Sequence, residues 1–241
     1  MKIYHLSHLA LFIGVFLVAG CIKDEEPIPD VRSGLNVVNS FLEAEAVLHR
    51  VDVGRGLQRL NQGQAYRGVD YYVIPSYQTC RLEIISSNES GQLVDTTFAL
   101  EENEYYTSFL FGTEAAPQHF LTADRLPDGT EDPTDVAGLR FFNLAETQER
   151  ITLHIGAAEP IAAFRNRPTE TPKTGKESEE FTLTTNTGTH VLTVQDEDGK
   201  QLARRTGVAL DAGDYLTIFL TGDGSESTPY YIGVVRHRGV N

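Results

Sequence analysis

Tryptophan is absent from this 241-residue chain, and Met1 is its only methionine. Cysteine is nearly absent too: Cys21 and Cys80 are the whole supply, so at most one disulfide could form. Positive charge is scarce, with 20 Lys and Arg against 34 Asp and Glu and a net charge of −14. Phosphate backbones are gripped by clustered Lys and Arg, so nucleic acid is excluded as a partner. Catalytic signatures are missing as well: the chain has no G-x-S-x-G elbow, no P-loop and no H-E-x-x-H. Of the seven histidines, His5 and His8 lie at the extreme N-terminus. His49, His119, His154, His190 and His237 show no H-x-H or H-x3-H spacing, so no metal site is expected. No catalytic residue and no cofactor is assigned.

What is present begins with an address. Residues 1–21 read MKIYHLSHLALFIGVFLVAGC. Lys2 supplies a positive start, and Leu9 to Ala19 is apolar except for Gly14. That run is short of the roughly 20 residues a membrane-spanning helix needs. Small residues Ala19 and Gly20 then precede Cys21. This is the layout of a secretory signal peptide covering residues 1–20. The run Val18-Ala19-Gly20-Cys21 also resembles the lipobox of bacterial lipoproteins. The resemblance implies cleavage before Cys21, acylation there, and membrane lipid as a partner. Several acyl chains hold a protein stably where one holds it marginally. Residues 21–33 are then a lipidated tether. Its Lys23-Asp24-Glu25-Glu26 resembles the surface-export signal of Bacteroidetes lipoproteins. An outer-membrane lipoprotein exposed on the cell surface is therefore expected, with a periplasm-facing one as the alternative.

The mature chain repeats itself. Gly34-Leu35-Asn36-Val37-Val38-Asn39 corresponds to Gly138-Leu139-Arg140-Phe141-Phe142-Asn143. Arg81–Ile84 corresponds to Val191–Val194, and Ala99–Tyr105 to Ala209–Tyr215. Thr107, Phe109 and Gly112 then pair with Thr217, Phe219 and Gly222 at constant spacing. The repeat divides the chain into residues 34–124, a polar linker at 125–137, and residues 138–241. Leu82 and Ile84 alternate with Arg81 and Glu83, a period of two that marks a strand. Asp198-Gly199 is a hairpin-turn signal, and Asn88–Gly91 takes that part in the first copy. Sustained helical periodicity is missing; Phe41–Val47 offers one or two turns at most. Asn166–Glu180 is expected as a surface loop. The fold class is thus all-β: two tandem immunoglobulin-like or transthyretin-like β-sandwiches.

Leu210-x-x-Gly213-x-Tyr215 and Leu100-x-x-Asn103-x-Tyr105 resemble the tyrosine corner of Greek-key sandwiches. There a Tyr hydroxyl bonds back to the preceding corner, and Gly or Asn suits a left-handed backbone. The alternative is that these tyrosines stack on a ligand. The chain as a whole resembles the lipoprotein family built on domain of unknown function 4397. The openings Val37–Asn39 and Phe141–Asn143 and the two corners carry the resemblance, which implies two tandem sandwiches in an envelope protein and no assigned activity. Ser40-Phe41-Leu42 and Leu144-Ala145-Glu146 depart from the Ser-Pro that usually follows the family's opening.

Cys80 shares the side of Leu82 and Ile84 and is expected as a buried small hydrophobe. His190 aligns with it. Asp196-x-Asp198-Gly199 lacks the later ligands of a calcium loop and is expected as a plain turn. Asp128, Glu131, Asp132 and Asp135 are expected as a solvated hinge, with a Ca2+ site at the domain junction as the alternative. The functional expectation is a non-enzymatic surface module that binds or scaffolds, with a glycan or an envelope protein as partner. A fimbrillin-like fibre subunit is the alternative, and a hydrolase with a loop-borne site is the third reading.

Overall fold

The computed structural model describes residues 32–75, 79–87, 91–125 and 135–237. Cys21 and the signal segment lie outside these residues, as do Asp128, Glu131 and Asp132 of the linker. The first half forms β1 (Arg32–Asn39), β2 (Ala46–Asp52), β3 (Gln58–Arg59), β4 (Gln64–Ala65) and β5 (Val69–Pro75). It continues with β6 (Cys80–Ser86), β7 (Gln92–Phe98), β8 (Tyr105–Thr113) and β9 (Ala116–Ala123). The second half forms β10 (Ala137–Asn143), β11 (Thr152–Ile155), the short helix α1 (Pro172–Glu177) and β12 (Thr182–Thr184). It ends with β13 (Gly188–Gln195), β14 (Gln201–Leu210), β15 (Tyr215–Thr221) and β16 (Tyr231–His237). The described chain is all-β, as the period-two alternation predicts.

Each half contributes two sheets. In the first, β5-β1-β8-β9 faces β3-β2-β6-β7, with β4 paired to β2. In the second, β12-β10-β15-β16 faces β11-β13-β14. Alternation along each strand separates the faces. Leu35 and Val37 of β1 pack with Val47, Leu82 and Ile84 inside the first pair of sheets. Leu139 and Phe141 of β10 pack with Leu153, Leu192 and Val194 inside the second. The intervening side chains point the other way and form a third apolar cluster between the halves. Val38, Phe109, Phe111 and Phe120 come from the first half, and Phe142, Leu144, Phe219 and Val235 from the second. The layers therefore stack as four sheets, with the β5-β1-β8-β9 and β12-β10-β15-β16 sheets back to back in the middle.

The repeated sequence blocks occupy matching places. β1 pairs parallel to β8, opposing Gly34 to Tyr105 and Asn39 to Leu110. β10 pairs parallel to β15, opposing Gly138 to Tyr215 and Asn143 to Leu220. At both strand ends the Asn side chain takes a backbone N–H two residues on, from Phe41 at 3.0 Å and from Ala145 at 3.3 Å. A Cβ on Gly34 would lie 2.4 Å from the Tyr105 ring, and one on Gly138 would lie 2.3 Å from the Tyr215 ring. Tyrosine lying across glycine on the neighbouring strand is thus the feature shared by both copies. Asn103 and Gly213 both have positive φ, +62° and +82°, in the turns leading into β8 and β15. Residues without a bulky branched Cβ accept that geometry most easily.

Three expectations need correction. The corner hydrogen bond belongs to Tyr106, one residue beyond Tyr105: the Glu101 backbone N–H donates to the Tyr106 hydroxyl at 2.9 Å. Tyr106 points into the core of the first half, whereas Tyr105 points to the opposite face. Leu216 stands at the matching place in β15 and is buried with no hydroxyl to offer. Phe41–Val47 forms no helix; the Asn39 side chain turns the backbone, and Ala46 and Val47 enter β2. The segment 166–180 is more than a surface loop. It carries α1, capped by reciprocal bonds between Thr171 and Thr174, with Pro172 in the first turn. Gly175 presses α1 against Phe120 of the first half, where a Cβ would meet the ring at 2.5 Å. Two further expectations agree with the structure. Cys80 is fully buried beside Leu82 and Ile84, and burial pushes its thiol up to about 12. Asp196 accepts from the N–H groups of Asp198 and Lys200 in a plain hairpin turn.

The corner assignment has a direct check. Tyr106→Phe should lower unfolding free energy by about 0.5–1.5 kcal/mol, because Glu101 N–H loses its partner. Tyr105→Phe should leave it unchanged. Urea denaturation of the two variants reads the difference.

Candidate functional site

The interface between the halves holds polar groups that the sequence alone does not single out. Arg140 is the residue of β10 that points outward between Gly138 and Phe142. Its side chain is 1% exposed, and that of Asp124, just past β9, is wholly buried. The Arg140 guanidinium donates to Asp124 at 2.5 Å, to the Thr217 hydroxyl at 2.6 Å and to the Glu179 carbonyl at 3.0 Å. It also lies 4.5 Å from the centre of the Phe181 ring. Asp124 accepts further from the hydroxyls of Thr107 at 2.7 Å and Thr122 at 3.1 Å. His237, at the end of β16, places Nδ1 3.1 Å from Asp124 and Nε2 2.7 Å from the Thr217 hydroxyl. A charge so far from water is tolerable only when paired and hydrogen-bonded, and Arg140 and Asp124 are both.

The titration of these groups follows. Burial alone would push the Asp124 carboxyl up, but His237, Arg140 and the Thr107 hydroxyl outweigh it and hold it below the usual carboxylate range. Burial pushes His237 down, against the pull of Asp124. Two more histidines sit inside the first half. Burial drives His49 down to about 3, with His119 adding to the effect. Burial likewise lowers His119 to about 4. Asn61 holds the His49 ring at 3.0 Å and Ser108 holds His119 at 2.9 Å. The Ser108–His119 contact is half-buried and joins β8 to the edge strand β9. Among the described residues no group of three His, Cys, Asp or Glu side chains could hold a metal ion.

Two clefts flank this interface. One, of about 630 Å3, is lined by Phe98, Tyr106, Leu121, Arg125, Lys176 and Phe181. Its cations are already satisfied: Arg125 pairs with Glu101 and Glu104, and Lys176 with Glu179. The other, of about 520 Å3, lies between β5 and β16 and is bounded by Asn36, Val69, Asp70, Tyr71, Tyr105 and Arg236, with His237 at its edge. Tyr71 is 52% exposed. It sits beside Tyr105 because Gly34 leaves the space: a Cβ there would lie 3.0 Å from the Tyr71 hydroxyl as well as against the Tyr105 ring. Burial and Tyr105 together raise the Tyr71 hydroxyl above its ordinary value. Arg236 is engaged by Asp214 and by the Ala209 carbonyl. The corresponding place in the second half is closed, because Phe181 packs edge-on against Tyr215 at 5.3 Å.

Of the residues singled out from sequence, Cys21 lies outside the described residues, and Asp135 is exposed. Tyr105 reaches a cleft, whereas Tyr215 is buried. Sequence reasoning missed Asp124, Arg140 and His237. One signal was available: an arginine in the middle of an otherwise apolar strand opening demands a buried carboxylate.

No protein-family model matches the chain, that of domain of unknown function 4397 included, and no curated protein matches it. Among solved structures, similar ones include the carbohydrate-binding module CBMbc (family CBM26) of Eubacterium rectale Amy13K in complex with maltoheptaose. It is 9% identical, with 83% of this chain and 96% of that one covered and a TM-score of 0.25. Another is the tip fimbrial protein Mfa3 of Porphyromonas gingivalis with C-terminal truncation. It is 10% identical, with 87% of this chain and 100% of that one covered and a TM-score of 0.22. Likeness at that level carries no weight for what the chain does.

The histidines set a pH dependence. His49, His119 and His237 each have a folded-state pKa below the unfolded value of about 6.5, so the unfolded chain binds more protons as pH falls below that value. Their stabilising contribution is present above pH 6.5 and is lost toward pH 4, at about 1.4 kcal/mol per pH unit for each histidine that stays neutral. Melting temperature should therefore fall steadily from pH 6.5 to pH 4. The same scan on His49→Leu should show a shallower slope, by about one proton's worth.

Proposed function

We propose that this chain is a non-enzymatic cell-envelope lipoprotein, anchored by acylated Cys21 and exposed on the cell surface, where it binds a ligand or partner in a cleft between two sandwiches. The two sandwiches span residues 34–124 and 138–241 and relate to the lipoprotein family of domain of unknown function 4397. The run Val18–Cys21 supports the anchoring. The observation that carries the binding role is the cleft at Tyr71 and Tyr105. Two tyrosines face open space there, at a position that the second half closes with a third ring. A core need would be met by the closed form in both halves. The tyrosines and their neighbour Asn36 combine apolar area with hydrogen-bonding groups, as binding pockets do.

One observation favours a fibre subunit as the second reading. β5 is an edge strand, and its outward face presents Val69, Tyr71 and Val73, at 38%, 52% and 52% exposure. An edge with exposed apolar residues can accept a strand from another chain.

The anchoring is tested by fractionating cells that carry wild type or Cys21→Ala. Wild type should incorporate labelled palmitate, sediment with membranes and be shaved by protease added to intact cells. The variant should be unlabelled and leave the membrane fraction. Unlabelled wild type would overturn the reading.

A further inference from the structure

We propose that the cleft between β5 and β16 binds a neutral oligosaccharide of two to three rings, laid across Tyr71 and Tyr105. This deepens the binding role above and rests on it.

Shape comes first. Tyr71 on β5 and Tyr105 on β8 project from the same face of one sheet and meet over Gly34, which has no side chain to part them. Two rings standing on one sheet face offer a platform. A platform suits a flat ligand that stacks on one side. Val69 and Val73 extend the apolar strip to either side of Tyr71 on the same strand face. At about 3.3 Å per residue, that strip is roughly 13 Å long. Such a length suits two or three linked sugar rings, and the volume of about 520 Å3 lies in the usual range for small-ligand pockets.

Charge comes second. Arg236 is the cation of this cleft, and Asp214 already neutralises it. The whole chain carries −14. Anionic ligands are disfavoured on both counts. A cationic ligand finds no carboxylate on this face of β5, because Asp70 alternates to the other side of the strand and meets the Tyr72 hydroxyl there. What remains is a neutral ligand with one apolar face and many hydroxyls. A pyranose ring offers both: its C–H face lies on an aromatic ring, while its hydroxyls reach polar groups such as the Asn36 amide.

The test is a glycan array carrying neutral and anionic oligosaccharides, probed with the full chain in detergent. Wild type, Tyr71→Ala and Tyr105→Phe are compared, with melting temperature measured for each. Expected is retention on neutral oligosaccharides, a loss of at least tenfold in Tyr71→Ala at an unchanged melting temperature, and near-wild-type retention in Tyr105→Phe. Titration of the retained sugar by calorimetry confirms the loss. Retention on sulfated or phosphorylated glycans alone, or on none, would overturn the proposal. Retention on neutral glycans that Tyr71→Ala does not change would overturn the site and leave the binding role standing. A concentration-dependent dimer lost in Tyr71→Ala, with no glycan retained, would overturn it in favour of strand pairing along β5.

Discussion

The pairing of Asp124 with Arg140 is the constraint on which the arrangement of the two halves depends. The two residues are close in sequence, yet one closes the first sandwich and the other opens the second. Both charges are out of water, so neither can be left alone: an unpaired buried charge costs several kcal/mol. The halves must therefore meet in a pose that brings these side chains to 2.5 Å. Around the pair, the aromatic contacts give the interface its adhesion. Phe142 meets Phe109 and Phe120 with ring centres 5.1 Å apart in each case. Each such buried ring is worth about 1.5–3 kcal/mol. The apolar cluster makes contact favourable, and the ion pair makes one contact geometry correct.

Two consequences reach the surface. Segment 166–180 cannot be a free loop, because the Glu179 carbonyl accepts from Arg140 and the Glu179 carboxylate accepts from the Ala123 N–H. Helix α1 is thereby held against β9, and Phe181 is held over Tyr215. On the other flank no comparable segment among the described residues covers Tyr105, and the cleft beside Tyr71 is open there. The asymmetry between the two copies, closed in one and open in the other, follows from where the long segment falls in the second copy.

Much of the fold was legible in the sequence, because a repeat reports its own structure. Gly34 with Gly138, and Tyr105 with Tyr215, recur since each glycine must make room for a tyrosine on the strand alongside. Asn103 and Gly213 recur because the turn before each of those strands needs positive φ. The reading of Tyr105 as a corner failed for a simple reason. Two adjacent tyrosines face opposite sides of a strand, and sequence spacing does not say which one turns inward. The interface was illegible for another reason. Asp124, Arg140 and His237 differ from their counterparts in the other copy, so the repeat conceals them, and their meeting is set by packing between halves rather than by local pattern. The cleft shares that origin: Tyr71 and Arg236 are neighbours only because the sandwiches stack back to back.

A double-mutant cycle on Asp124 and Arg140, read by urea unfolding, tests the central claim most directly. Asp124→Leu and Arg140→Met should each cost about 3–5 kcal/mol, because each strands the other's charge. The double variant should lose far less than the sum of the two, giving a coupling energy of about 2 kcal/mol or more. Single variants that cost under about 1 kcal/mol, or effects that add within about 0.5 kcal/mol, would show that the pair does not hold the two halves together.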